Sequence, residues 1–348
     1  MPRLPSPDRS MIILPSRHDH FPAADIDRRA RMRAAAAALV ADWAAEDQAP
    51  DGVLAAMRAV ERAPLDEAIA ALAPWVADVG WLGARLNQAL DLLAADCFTR
   101  PPLRPVGGAS FGGLLLAEAG PVRLTLLLRP FEAAGVKDEP APLFVPGRTL
   151  THILAPGGAM ARFHHVVVSA AEEAGAFTAV TASPCTTGAL RPLVAGEMLA
   201  LDTARTCFSF VGGDADMLML ELAVQPPSRL PNRAYEAASG RLAHVSASRR
   251  DSSFRGMALT LLRTLGRTDA APLFAAESES EDFAARWSAM REMVALDPAI
   301  AQPHLVRMAA GDPHPEVRRA AAATLALYAS HSSMDGPALA RENSACPA

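Results

Sequence analysis

The hydrophobic period changes twice along this chain, each time at a proline-rich break. The breaks are "RPPLRPVGG" (100–108) and "QPPSRLP" (225–231). From about 109 to 224, short β-like apolar runs alternate with turn residues. On either side, apolar residues recur every three to four positions. A helix repeats its face every 3.6 residues and a strand every two, so one pattern cannot serve both. The chain also has 348 residues, too many for a single small core. The expectation is therefore a multidomain α and β protein. It has a tail at 1–24, an N-terminal helical segment at 25–99, a central all-β barrel at 105–225, a C-terminal α-solenoid at 232–330 and a tail at 331–348.

In the first helical zone, Asp25 is placed to cap "IDRRARMRAAAAALVADWAAED", where Leu39, Val40 and Trp43 share one face. Helices follow in "DGVLAAMRAVER", "PLDEAIAALAPWVAD" and "WLGARLNQALDLLAADC". The last is read with a stripe of Leu82, Leu86, Leu90 and Leu93. In the central zone the predicted strands are "GGLLLAE", "PVRLTLLLRPF", "PLFVPG", "TLTHILA", "AMARFHHVVVS", "GAFTAVTA", "EMLALD", "RTCFSFV" and "DMLMLELAV". Strands this short and this closely spaced predict a sandwich or barrel.

The third zone repeats. "SSFRGMALTLLRTL", "FAARWSAMREMVAL" and "PEVRRAAAATLALY" align on Arg255, Arg286 and Arg318, which are 31 and 32 residues apart. Ala258, Ala289 and Ala321 stand three residues on, and Leu262, Met293 and Leu325 seven on. A shorter segment precedes each helix: "NRAYEAASGRLAHV", "DAAPLFAAES" and "AIAQPHLVRMAAG". Helix pairs of this length cannot bury their own faces, so they stack as a solenoid. The surface left free suits a protein partner, or the array buttresses the barrel. The last unit, "LVRMAAGDPHPEVRRAAAATLALY", resembles a HEAT repeat. That resemblance implies a hydrogen bond between Asp312 and Arg318 along the stack. The two earlier units depart from it, with Arg249 and Ser280 where the aspartate should stand.

Composition narrows the chemistry. The formal charge is −5 with no long basic stripe, so nucleic acid is not an expected partner. Lys137, in "GVKDEP", is the only lysine. No glycine-rich loop ends in Gly-Lys-Ser/Thr, which removes a P-loop NTPase, and a Schiff base would have to form on Lys137. Cys97, Cys185, Cys207 and Cys346 are scattered, as in a reducing cytoplasm. No apolar stretch approaches the roughly 18 residues a membrane helix needs, so no membrane partner is expected. The arginine bias suggests a bacterial source. His18 and His20 flank Asp19 in the first tail and are read as surface residues.

The stretch with most chemical promise is "GGAMARFHHVVVSAAEE" (157–173). Gly158 is followed by five residues and then His164. "PLVAGEMLALDTARTCFSF" (192–210) carries a Gly-Glu pair and a strand with Cys207. Together these resemble the two motifs of a cupin barrel, which implies metal ligands in a His-x-His, a glutamate and a third histidine. The departures are plain. His164 and His165 are adjacent, so they fall on opposite faces of a strand. Ser169, Ala170 and Ala171 stand where the glutamate is due, and Cys207 replaces the third histidine. One face reads Arg162, His164, Val166, Val168; the other reads Phe163, His165, Val167. The favoured reading takes Arg162 and His164 inward, with Cys207 and His152 beside them, no cofactor and a small anionic ligand held by the guanidinium. The alternative is a metal-dependent dioxygenase or isomerase with iron, manganese, nickel or zinc on His164 and Cys207. No catalytic residue is assigned. The functional expectation is a cytoplasmic binding or scaffold protein.

Overall fold

The computed structural model describes residues 25–107, 111–131, 141–248 and 250–334. His18, Asp19, His20, Lys137, Arg249 and Cys346 lie outside the described residues. The chain forms two compact units. One takes α1 (Ile26–Gln48), the start of α2 (Val53–Ala59) and α4 (Gly80–Ala95). The other takes the rest of α2, α3 (Leu65–Ala77) and the chain from Pro105 on. The N-terminal helices are thus shared between two units rather than forming one segment.

In the first unit the Asp25 carboxylate accepts from the Arg28 backbone N–H at 2.8 Å, so the expected cap is made. Trp43 is buried, and the Arg85 guanidinium lies over Trp43 and Trp81 at 5.3 and 5.4 Å while bonding Asp47. The leucine stripe on α4 is corrected: Leu90 is exposed and Ala89 takes the buried position.

The second unit is built on three sheets. Six strands stand in the order β1-β2-β3-β10-β5-β8: β1 (Arg104–Gly107), β2 (Gly112–Ala119), β3 (Val122–Arg129), β10 (Met217–Val224), β5 (Arg148–Ala155) and β8 (Met198–Asp202). Three stand in the order β7-β6-β9: β7 (Thr186–Pro192), β6 (Met160–His165) and β9 (Thr206–Val211). The third sheet is β12-β11-β4: β12 (Leu242–Ser246), β11 (Asn232–Tyr235) and β4 (Leu143–Phe144). The chain crosses from β5 to β6 through Gly157 and Gly158, at φ 55° and 70°. A side chain on Gly157 would stand 2.3 Å from the Ala215 carbonyl oxygen, so the turn requires glycine.

Two apolar clusters organise these sheets. The first joins Ile153, Leu199, Met217 and Met219 of the six-stranded sheet to Ala161, Phe163, Phe208 and Phe210 of β6 and β9. The second joins Val166, Val168, Phe177 and Cys185 to Phe144 and Tyr235, with Cys207 packed against it. Helix α3 covers the other face of β5 and β10.

The helices that follow are α5 (Arg250–Thr264), α6 (Ala271–Glu277), α7 (Phe283–Leu296), α8 (Pro298–Gly311) and α9 (Pro315–Met334). Three sequence assignments change. "NRAYEAASGRLAHV" is the hairpin β11–β12, so strands continue past 225 and helices start at 250, not 232. "GAFTAVTA" is not a strand; a wide helical turn at Glu172–Ala176 precedes a turn there. Helix α9 runs to Met334, beyond the expected boundary at 330.

Candidate functional site

His164 is fully buried and His165 exposed, so the two do split across β6. The inward choice is corrected. Ala161 and Phe163 face the six-stranded sheet, and β6 pairs with β9 in unbroken register. Arg162 and His164 therefore lie on the opposite face, the side on which Val166, Val168 and Cys207 join the second cluster. The small-anion argument rested on Arg162 in the lumen, and it loses that support.

Nor does His164 suit a metal. Its Nδ1 lies 3.1 Å from Thr187 Oγ1 and its Nε2 2.9 Å from Ser209 Oγ, so both ring nitrogens are engaged. Cys207 is directly opposite in register. Burial, with Cys185 adding to it, pushes its thiol up to about 12, so it stands beside His164 as the neutral thiol. His152 is elsewhere: its Nδ1 bonds the Val76 carbonyl of α3 at 2.7 Å, on the covered face of β5. Among the described residues no three His, Cys, Asp or Glu side chains converge. The residues do not fit iron, manganese, nickel or zinc.

An absence of G-x-S-x-G, expected from the sequence, is corrected: Gly108-Ala109-Ser110-Phe111-Gly112 fits it. A nucleophile elbow needs a strand-to-helix turn. This stretch joins β1 to β2, and residues 108–110 lie outside the described residues.

The C-terminal helices bring their predicted residues together differently from the expectation. The Asp312 carboxylate is held by Arg286 of α7, through Nε and Nη2, both at 2.8 Å. The two side chains are only 8% and 4% exposed. Arg318 instead donates to the backbone carbonyls of Asp312 and Pro313. Arg286 makes the equivalent bonds to Ser280 and Glu281, so two arginines 32 residues apart each clamp the turn five and six residues before them. Arg255 pairs with Glu277 of α6 at 2.6 Å.

These contacts hold α5, α7 and α9 beside β12 around a groove of about 970 Å³. Val245, Met257, Leu259, Phe283, Trp287 and Val317 give it an apolar lining, and Arg291, Glu292 and Glu316 are among its charged groups. Met257 also belongs to an exposed ridge. Phe254, Met257 and Leu261 recur at i, i+3 and i+7 along α5, with Leu265 just past its end, each 59–69% exposed. Sequence reasoning found the helices and missed this ridge, although the spacing was there to read.

No family profile and no curated protein matches the sequence. Several solved structures are similar over part of it. Ectoine synthase from P. lautus is 13% identical, covering 36% of this chain and 71% of its own, with a TM-score of 0.22. The capsular polysaccharide assembling protein CapF from Staphylococcus aureus is 10% identical, over 37% and 32%, with a TM-score of 0.23. The 7S globulin of Momordica charantia is 9% identical, over 39% and 36%, with a TM-score of 0.25. The similarity spans only about a third of the latter two chains.

Proposed function

We propose that this protein is a non-catalytic binding or scaffold protein that docks a protein partner in the groove of α5, α7, α9 and β12. The observation that carries this reading is the continuity of that groove with the exposed α5 ridge. A run of large apolar side chains left in water beside a concave surface marks a protein contact. The repeated arginine clamp of Arg286 and Arg318 supports a HEAT-like stacking of the helices, beginning at α5. The two-sheet region, with its glycine turn and its degenerate histidine motif, is read as a cupin-like support. Among the described residues no helix is long and apolar enough to cross a membrane.

The test is photo-crosslinking in the native host, with benzoylphenylalanine in place of Met257. The expected result is one dominant protein adduct, lost with Leu261→Asp and Phe254→Asp while the chain stays folded. Adducts no more specific than those from the same probe at Arg241, on the β11–β12 hairpin, would end the proposal.

A further inference from the structure

Between the six-stranded sheet and β6–β9 lies a polar row that the groove does not explain. Thr125, Glu221, Thr151 and Leu199 are direct neighbours across β3, β10, β5 and β8. Alternation puts them on the same face as Leu127, Met219 and Ile153, which line the first cluster. The next row along holds Arg123 and Thr149, and Arg123 is bound to Glu118 at 3.1 Å. Across the space stand the rings of Phe163 and Phe208, 5.8 Å apart, followed on their strands by His165 and Thr206.

Three features show that this row is unfinished. Glu221, Phe163, Phe208 and Leu127 are only partly buried although they stand between two sheets, so their packing against one another is incomplete. Thr151 is 0% exposed and its hydroxyl has no hydrogen-bond partner. Glu221 has Arg123 as its charged neighbour, and that guanidinium is already bonded to Glu118. Glu118 and Glu221 thus both lie beside Arg123. Burial pushes the Glu221 carboxyl up, with Arg123 opposing only in part. His165 is turned to Thr206 at 3.2 Å, and Arg191 is bound to Glu197 at 2.7 Å, so each side chain already has a partner of its own.

We propose that this row binds a small protonated amine, with Glu221 as its counter-ion, Thr125 and Thr151 as hydroxyl partners, and Phe163 and Phe208 as its apolar wall. An ammonium supplies three N–H donors and one positive charge, which a carboxylate and two hydroxyls can use in full. Ring faces attract a cation, and the Phe163 ring already carries one, the Arg191 guanidinium 4.7 Å from its centroid. A carboxylate ligand would meet two carboxylates and one occupied guanidinium. This inference is independent of the helical groove.

The test uses purified full-length protein with propylamine, propionate and propanol as probes, by calorimetry and thermal shift near pH 8. Propylamine should bind and raise the melting temperature, while propionate and propanol should not. Glu221→Gln should weaken propylamine by about tenfold or more, and Thr151→Val by a smaller factor, since a hydrogen bond to a charged group is worth about 1.5–3 kcal/mol. Binding near the pH where Glu221 titrates should release a proton, read from the buffer dependence of the heat. No response to millimolar propylamine, tighter binding of propionate, or unchanged binding in both variants would overturn the assignment.

Discussion

Replacing Asp312 with alanine should unseat the last two helices. Its carboxylate receives two bonds from Arg286 at 2.8 Å and one from the His314 backbone N–H at 2.7 Å. Both side chains of the pair are almost wholly out of water. Without Asp312, Arg286 stays buried with only the Ser280 and Glu281 carbonyls for partners. Breaking one side of a buried pair costs about 3–5 kcal/mol. The chain has two units, so a single global unfolding energy is not well defined. Amide exchange in α8 and α9 reads the loss locally, and at about 1.4 kcal/mol per decade the opening should rise by roughly two to nearly four decades. The double variant Arg286→Met with Asp312→Leu should recover most of this, because an apolar pair leaves no stranded charge. The reasoning fails if Asp312→Ala costs under about 1 kcal/mol. It also fails if the double variant loses as much as the two single changes together.

Two further outcomes follow from the β-sheet region and the cysteines. The folded carboxyl of Glu221 titrates above its unfolded value of about 4.3, so the folded state holds its proton longer and stability falls as pH rises from about 4.3 toward the folded value. Glu221→Gln should flatten that slope and raise the melting temperature at neutral pH; an unchanged pH profile would refute it. The thiols should separate by environment: peptide mapping after brief iodoacetamide treatment at pH 8 should find exposed Cys97 labelled, and buried Cys185 and part-buried Cys207, both with thiols pushed up by burial, spared. Equal labelling of Cys97 and Cys207 would contradict the burial argument.

The fold was legible wherever period and punctuation agreed. Short apolar runs bounded by glycine or proline marked β2, β3, β5, β8, β9 and β10, and the cap at Asp25 marked the start of α1. Short strands whose pairing is non-local were not legible. "TTGALRP" is polar and exposed and becomes β7 only because β6 offers it a ladder. "NRAYEAASGRLAHV" carries alanine at helix-like density, yet β11 is fixed by β4 and by Arg233 bonded to the Ala204 carbonyl. At the site, alternation correctly separated His164 from His165, but the sequence carries no label for which face is inward. Counting five residues from Gly157 instead of Gly158 would have set Phe163 and His165 at the two histidine positions of the cupin-like motif, on the face that meets the six-stranded sheet. The Arg286–Asp312 pair was hidden for a related reason. The resemblance pointed Asp312 at Arg318 six residues away, while stacking delivers the arginine of the preceding long helix.

The central claim is that the groove of the C-terminal helices receives a protein. Hydrogen exchange of the full chain, alone and with the partner captured from position 257, tests it most directly. The account predicts slowed exchange in α5, α7, the first turns of α9 and β12, with β2, β3 and β10 unchanged. Protection confined to the β strands or to α1 and α4, with α5 and α7 exchanging as before, would contradict it.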